Sequence, residues 1–218
     1  NPLKPTETLK GGVKEEELKL FYKGLYQSLV ILAIQKIAMD MSDDQHFTGV
    51  MGESAFVTSQ YGLLKTVQRD NYLKALQNKF YSTLKESNIQ NYYLLFFMGN
   101  KSEQANGFAL RGKKIGIMFE GRDVMTLVHE GMHGLGLYHT HMDYLREGTN
   151  KYAKPVYELS NYPLFKYIYP YGLPEVTHPD FMHLEKATSN IMGYKSGQDS
   201  VRYDTWKWQW DILRGAVK

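Results

Sequence analysis

The sequence predicts an α+β chain: a helix and short strands in its first half, then a histidine-bearing helix, and a further helix at the C-terminus. Three observations predict it. Between residues 63 and 86 the apolar positions Leu64, Val67, Tyr72, Leu73, Leu76, Phe80 and Leu84 recur close to helical spacing. Residues 89–98 are dense in Tyr, Leu and Phe and read as a buried strand, and residues 108–110 and 115–119 read as two short strands around a turn at 111–114. Residues 124–141 hold four of the seven histidines, with His129 and His133 four apart, so that on a helix both imidazoles leave the same face.

The remaining elements follow in order. Residues 1–14 are rich in Pro, Gly, Thr and Lys and read as a linker or loosely held arm. Glu15, Glu16 and Glu17 read as the solvated first turn of a helix. Residues 18–41 are apolar with mixed periodicity, which fits one long helix or a helix followed by a strand near 28–37. Residues 40–58 read as loop with room for a short strand, and Asp123 or Arg122 opens the histidine helix, with Asp123 as its cap. Residues 142–188 carry much Tyr, Pro and Gly and are expected to be irregular. In the last helix Trp206, Trp210 and Leu213 share a face, with Trp208 and Ile212 beside it, and Asp204 or Thr205 can cap it.

Composition narrows the function. A chain of 218 residues fits a single domain, here residues 15–218, and 43% hydrophobic with 22% charged residues is enough to build a core. A formal net charge of +3, with no basic run interleaved with aromatics, argues against a nucleic-acid partner. The chain has no cysteine, which excludes disulfides, thiolate ligands and cysteine nucleophiles. Its longest apolar run, residues 29–34, is too short for a membrane span. The start at Asn1 rather than methionine points to a processed or excised fragment, and the expected setting is a secreted or exported monomer.

The chemistry concentrates in His129, Glu130, His133, Gly136 and His139. Two neutral imidazoles at i and i+4 can share one metal ion, and Glu130 between them can polarise a water. In an unbroken helix His139 would lie about 240° round from His133 and about 9 Å along the axis, out of reach. Gly136 can take a positive φ and end the helix there, which makes His139 the candidate third ligand. His141 does not suit the same tetrahedron. His178 and His183, with Asp180 and Glu185, have no diagnostic spacing, and His46 has no partner in sequence.

The run His129-Glu130-x-x-His133-x-x-Gly136-x-x-His139 resembles the long zinc signature of the metzincin metallopeptidases, and Ile191-Met192-Gly193-Tyr194 looks like that family's Met-turn. The resemblance implies a zincin-like fold of two lobes, about residues 15–139 and 140–218, with a mixed sheet, an active-site helix and a C-terminal helix. It implies Zn²⁺ on His129, His133 and His139, a protein or peptide substrate, and hydrolysis by a zinc-bound water with Glu130 as general base. Met192 would be the apolar floor beneath the imidazoles, and Tyr194 would stabilise the oxyanion. Gly107, Phe108, Ala109 and Leu110 would be the edge strand that binds the substrate backbone. Thr140 departs from the glutamate or proline of the astacin-like and serralysin-like branches and leaves the branch open. The chain's end, with its Met-turn run, is also similar to metallopeptidase domains of bacterial secreted toxins or effectors. Two other readings stand beside this one: a third ligand from Glu147 or Glu185 in place of His139, and a zinc-binding recognition module that cleaves nothing.

Overall fold

The computed structural model describes residues 10–44, 47, 69–84, 92–102, 105–139, 144–145, 154–155, 190–193 and 202–217. Within them lie helices α1 (Glu15–Tyr26), α2 (Arg69–Thr83), α3 (Thr126–Gly134) and α4 (Lys207–Ala216). Strands β1 (Leu94–Phe97), β2 (Gly107–Leu110) and β3 (Ile115–Met118) form one sheet, and β4 (Tyr144–Leu145) and β5 (Lys154–Pro155) a short antiparallel pair. The sheet is mixed, in the order β1-β3-β2, with β1 parallel and β2 antiparallel to β3. The described residues thus form a mixed α/β fold whose three-stranded sheet sits between helices.

Strand alternation divides the core into two. Leu94, Phe96, Ile115 and Ile117 turn to one face, where Tyr72, Leu73, Leu76 and Phe80 of α2 cover them. Leu95, Phe97 and Met118 turn to the other, where they meet α1, α3, Ile191, Met192 and Leu213. All four residues of β3 are buried, as a central strand requires. On the α3 side, next to Met118, β2 and β3 present the small residues Gly107, Ala109 and Gly116. A Cβ on Gly107 would come within 3.0 Å of the Thr126 side chain. These small residues let α3 lie close against the sheet.

Helix α1 buries Glu17, Phe21, Gly24 and Leu25, an i, i+4, i+7, i+8 stripe. Its approach to α3 is close at two glycines. A Cβ on Gly131 would stand 2.6 Å from the Phe21 ring, and one on Gly24 would meet Met132 at 2.7 Å and Ile191 at 3.0 Å. Helix α1 therefore packs at once on the histidine helix and on the turn that carries Met192. After Tyr26 the chain leaves helical geometry, and residues 30–41 form neither continued helix nor strand. Neither alternative is realised for residues 28–37, which form a turn and an irregular connection.

Glu17 departs from the solvated acidic turn expected of it. Glu15 and Glu16 are exposed, but Glu17 is fully buried and accepts from Arg122 Nε at 2.6 Å and Nη2 at 2.8 Å. The Lys14 N–H donates to the same carboxylate, and Arg122 also donates to the carbonyls of Phe119 and Gly12. Every polar group of the pair is used, which a buried ion pair needs in order to offset its desolvation. Arg122 is therefore a clamp between α1, the end of β3 and residues 10–14. The opening of α3 falls to Asp123, whose Oδ1 accepts the Met125 N–H at 2.9 Å and the Thr126 hydroxyl at 3.1 Å, although the cap position itself is Met125.

The C-terminal helix also differs in its buried face. Gln209 and Leu213 are its buried residues, while the three tryptophans are half-buried. Trp206 is the cap residue in place of Asp204 or Thr205, and Gln209 Oε1 accepts its N–H at 2.7 Å. Thr205 instead bonds Gln27, which ties α4 to the end of α1. Among the described residues no helix is long and apolar enough to cross a membrane.

Two stability measurements test this architecture. Gly131→Ala should cost about 1–3 kcal/mol through overpacking against Phe21, seen as a drop of several degrees in thermal midpoint, and Phe21→Leu should return part of it. Glu17→Ala should cost about 3–5 kcal/mol because Arg122 is left buried without its carboxylate. The double replacement Glu17→Leu with Arg122→Met should be the more stable of the two in urea. A single variant as stable as the wild type would remove the clamp from the account.

Candidate metal centre

Helix α3 places His129 and His133 on one face, with ring centroids 4.8 Å apart. The helix then stops. Gly136 has φ +104°, its N–H donates to the His133 carbonyl at 2.8 Å, and the Leu137 N–H donates to the Met132 carbonyl at 3.1 Å. This pair of bonds, with glycine just past the C-cap, is the Schellman ending. Its apolar contact is also present, because Met132 and Leu137 are both fully buried in one cluster. The reversed chain brings His139 back over the helix, so that the residue predicted to lie beyond reach in a straight helix faces the other two. Its Nε2 stands 2.9 Å from His133 Nε2 and 3.2 Å from His129 Nε2.

The tautomers follow from the partners. His129 Nδ1 lies 2.8 Å from the Ile191 carbonyl and His133 Nδ1 2.7 Å from the Leu137 carbonyl. A carbonyl only accepts, so each Nδ1 carries the proton and donates. In the neutral rings both Nε2 atoms then hold lone pairs. His139 Nε2 faces these two lone pairs, an arrangement satisfied by a proton on His139 or by a cation at the point where the three nitrogens converge. Three ring nitrogens, each pair within 4.8 Å, can hold one metal ion. A tetrahedral zinc with Zn–N near 2.0–2.1 Å would set them about 3.3–3.4 Å apart. The residues present fit such an ion, and the carbonyls behind His129 and His133 are the outer partners that fix ligand orientation.

Burial, followed by the charges of His133 and His139, holds His129 well below the usual histidine range, which keeps it neutral. Burial pushes the Glu130 carboxyl up to about 8, opposed by a bond from the Ala109 N–H. A cation held by the neighbouring histidines would act in the opposite direction and favour the carboxylate.

That bond from Ala109 joins the site to the sheet. Because the Phe119 N–H pairs with the Asn106 carbonyl, the hydrogen-bonded alternation falls on Phe108 and Leu110. Gly107 and Ala109 consequently turn their main-chain groups away from β3. Among the described residues β2 is an edge strand, and the outward amide of Ala109 meets the carboxyl of Glu130. The turn after β2 hangs on the end of α3, with the Gly112 and Lys114 N–H groups donating to the His133 and Gly134 carbonyls at 3.0 Å each.

Met192 is fully buried in the cluster that contains Val128 and Met132 of α3. Its turn is closed by Asn190, whose side chain accepts the Met192 N–H at 2.9 Å and whose carbonyl accepts the Gly193 N–H at 3.0 Å. Tyr194 lies outside the described residues, as do Thr140, His141, Glu147, His178, Asp180, His183 and Glu185. Sequence reasoning missed Tyr93, whose hydroxyl donates to the Gly131 carbonyl at 2.7 Å and is admitted by the absent side chain of Gly134. It also missed Asn190, Gln209 and Arg202, the last donating to the Gly193 carbonyl. The three glycines at 131, 134 and 136 were a signal of close approach, but nothing in their spacing names the partners.

No family model, curated protein or solved structure matches this chain.

The ending of α3 can be tested directly. Gly136→Ala forces a side chain into φ +104° and should cost more than about 1 kcal/mol. It should also weaken zinc binding on the order of tenfold or more, because the turn that delivers His139 is disturbed. Zinc titration against a competing chelator reads this. Unchanged affinity would mean that His139 reaches the site without help from Gly136.

Proposed function

We propose that the chain is a zinc-dependent metalloendopeptidase of metzincin type, with Zn²⁺ as its cofactor and a protein or peptide as its substrate. The observation that carries this reading is the convergence of His129, His133 and His139 at Nε2 beside Glu130, which touches the outward amide of an edge strand. Metal binding alone needs only the histidines. A carboxyl on the adjacent residue, at a sheet edge able to pair with an extended chain, is what hydrolysis of a peptide bond additionally requires.

An ion bound at the three nitrogens would supply Lewis acidity and lower the pKa of a water. The chain's own residues then have separate tasks. His129 and His133 give Nδ1–H to carbonyls and so present Nε2 in a fixed direction. The main-chain groups of Gly107 and Ala109 hold the substrate backbone in register, with Phe108 and Leu110 committed to β3. Glu130 takes a proton from the attacking water on its carboxylate and passes it to the leaving amine nitrogen. Met192 belongs to the apolar floor, and Tyr194 stabilises the oxyanion, the role implied by its offset from Met192. The two-lobed zincin architecture and an exported setting belong to the same proposal.

Glu130→Ala should abolish cleavage of a peptide library, a loss of at least about 10²-fold, while one equivalent of zinc remains bound. Mass-spectrometric analysis of the digested library gives both activity and subsite preference. A zinc-loaded wild type that cleaves nothing in a diverse library would overturn the peptidase reading and leave a metal-binding recognition module.

A further inference from the structure

Behind His129 lies a chain of buried polar contacts that leads away from the site to the last helix. The Ile191 carbonyl that accepts from His129 Nδ1 belongs to the turn formed by residues 190–193. Asn190 Oδ1 accepts the Met192 N–H at 2.9 Å, and Asn190 Nδ2 donates to Gln209 Oε1 at 2.9 Å. Gln209 Oε1 also accepts the Trp206 N–H at 2.7 Å, and its Nε2 faces Asn190 Oδ1 at 3.4 Å. Asn190, Met192 and Gln209 are each fully buried, and Ile191 is 2% exposed.

The orientation of both amides is decided by main-chain donors. The Trp206 N–H can only donate, so the oxygen of Gln209 must face it. The Met192 N–H can only donate, so the oxygen of Asn190 must face that. With both oxygens fixed, the two side chains meet donor to acceptor. Rotating either amide would set two donors or two acceptors together in a buried place, at a cost that keeps the arrangement unique. The Ile191 N–H is held from the other side by the Asp204 carbonyl at 2.8 Å. The position of the Ile191 carbonyl, and with it the tautomer and direction of His129, is therefore set from α4 and the segment that leads into it.

We propose that Gln209 is a positioning residue of the metal site, acting through Asn190 and the Ile191 carbonyl to keep His129 protonated at Nδ1 with Nε2 turned to the metal. This rests on reading the three histidines as metal ligands. Gln209 touches neither metal nor substrate. It works as an outer partner two links removed from the ligand.

The test uses the full chain with zinc and compares four variants. Gln209→Met keeps the volume and removes both amide bonds. It should weaken zinc, measured against a chromophoric chelator, by about 10–100-fold, the range for loss of an outer-shell partner. Gln209→Glu keeps the oxygen that accepts from Trp206 and Asn190 but sets a second acceptor against Asn190 Oδ1, and should recover only part of the affinity lost in Gln209→Met. Leu213→Ala loosens the same helix by opening the core, makes no polar link to the turn, and should leave zinc affinity unchanged while lowering the thermal midpoint. Asn190→Asp cuts the relay at the Nδ2 donor alone and should fall in the same direction as Gln209→Met, which keeps the test decisive should that variant fail to fold. Ring nitrogen NMR of the metal-free chain gives a second readout, in which His129 is protonated at Nδ1 in the wild type and mixed between tautomers in Gln209→Met. Equal zinc affinity in Gln209→Met and wild type, or an equal loss in Leu213→Ala, would overturn the proposal. A wild type that takes up no zinc would instead overturn the metal-site reading beneath it.

Discussion

Each imidazole on α3 must give one ring nitrogen to an acceptor before its other nitrogen can be aimed, and the two acceptors come from different parts of the chain. Leu137 supplies one from the helix's own ending, within four residues of His133. Ile191 supplies the other from 62 residues away in sequence. The site therefore depends on two unlike constraints. The first is local and is met as soon as Gly136 reverses the chain. The second is tertiary and is met only when the turn at residues 190–193 is docked and held. A histidine pair on an isolated helix would have the spacing of a metal site without the direction.

Docking of that turn explains features that otherwise look unrelated. Gly24 is bare so that Met132 of α3 and Ile191 of the turn can both reach α1. Gln27, one residue past the helix, takes Thr205 and donates to the Tyr203 carbonyl, which brings residues 203–205 alongside. Asp204 then receives the Ile191 N–H. Helix α1 carries none of the expected ligands, yet its packing fixes the relation between α3 and the turn. The Glu17–Arg122 pair secures the other end of the same arrangement, since it joins α1 to the chain midway between β3 and α3, four residues from each.

Much of this was legible in the sequence because it is periodic or stereochemical. The strands at residues 107–110 and 115–118, the helix around His129 and the stop at Gly136 follow from alternation, helical spacing and the one residue type that accepts φ +104° without strain. What was hidden is pairing across distance. Glu17 sits in a run of three acids and has the look of a solvated turn; only Arg122, 105 residues on, makes it a buried ion. Gln209 stands between tryptophans, and a hydrophobic pattern assigns the buried face to the aromatics. The helix instead buries Gln209 with Leu213 because the amide has a main-chain donor and Asn190 to satisfy. Polar residues enter a core for a partner, and a single sequence does not name the partner.

The join between α3 and β2 shows how the fold turns these constraints toward chemistry. Gly107, Ala109 and Gly116 keep the α3 side of the sheet low around β2, so the helix settles close to that strand. The pairing alternation turns the amide of Ala109 outward on that same edge, where Glu130 meets it. A bulky residue at 109 would move the helix away from the strand and Glu130 with it, and a shift of one in the register would turn that amide inward to β3. The carboxyl next to the histidines and the open backbone groups of the sheet thus share one strip because strand register and helix packing agree. An extended peptide that paired with Ala109 would have to take over the amide now bonded to Glu130, and in doing so would release the carboxyl beside the histidine nitrogens.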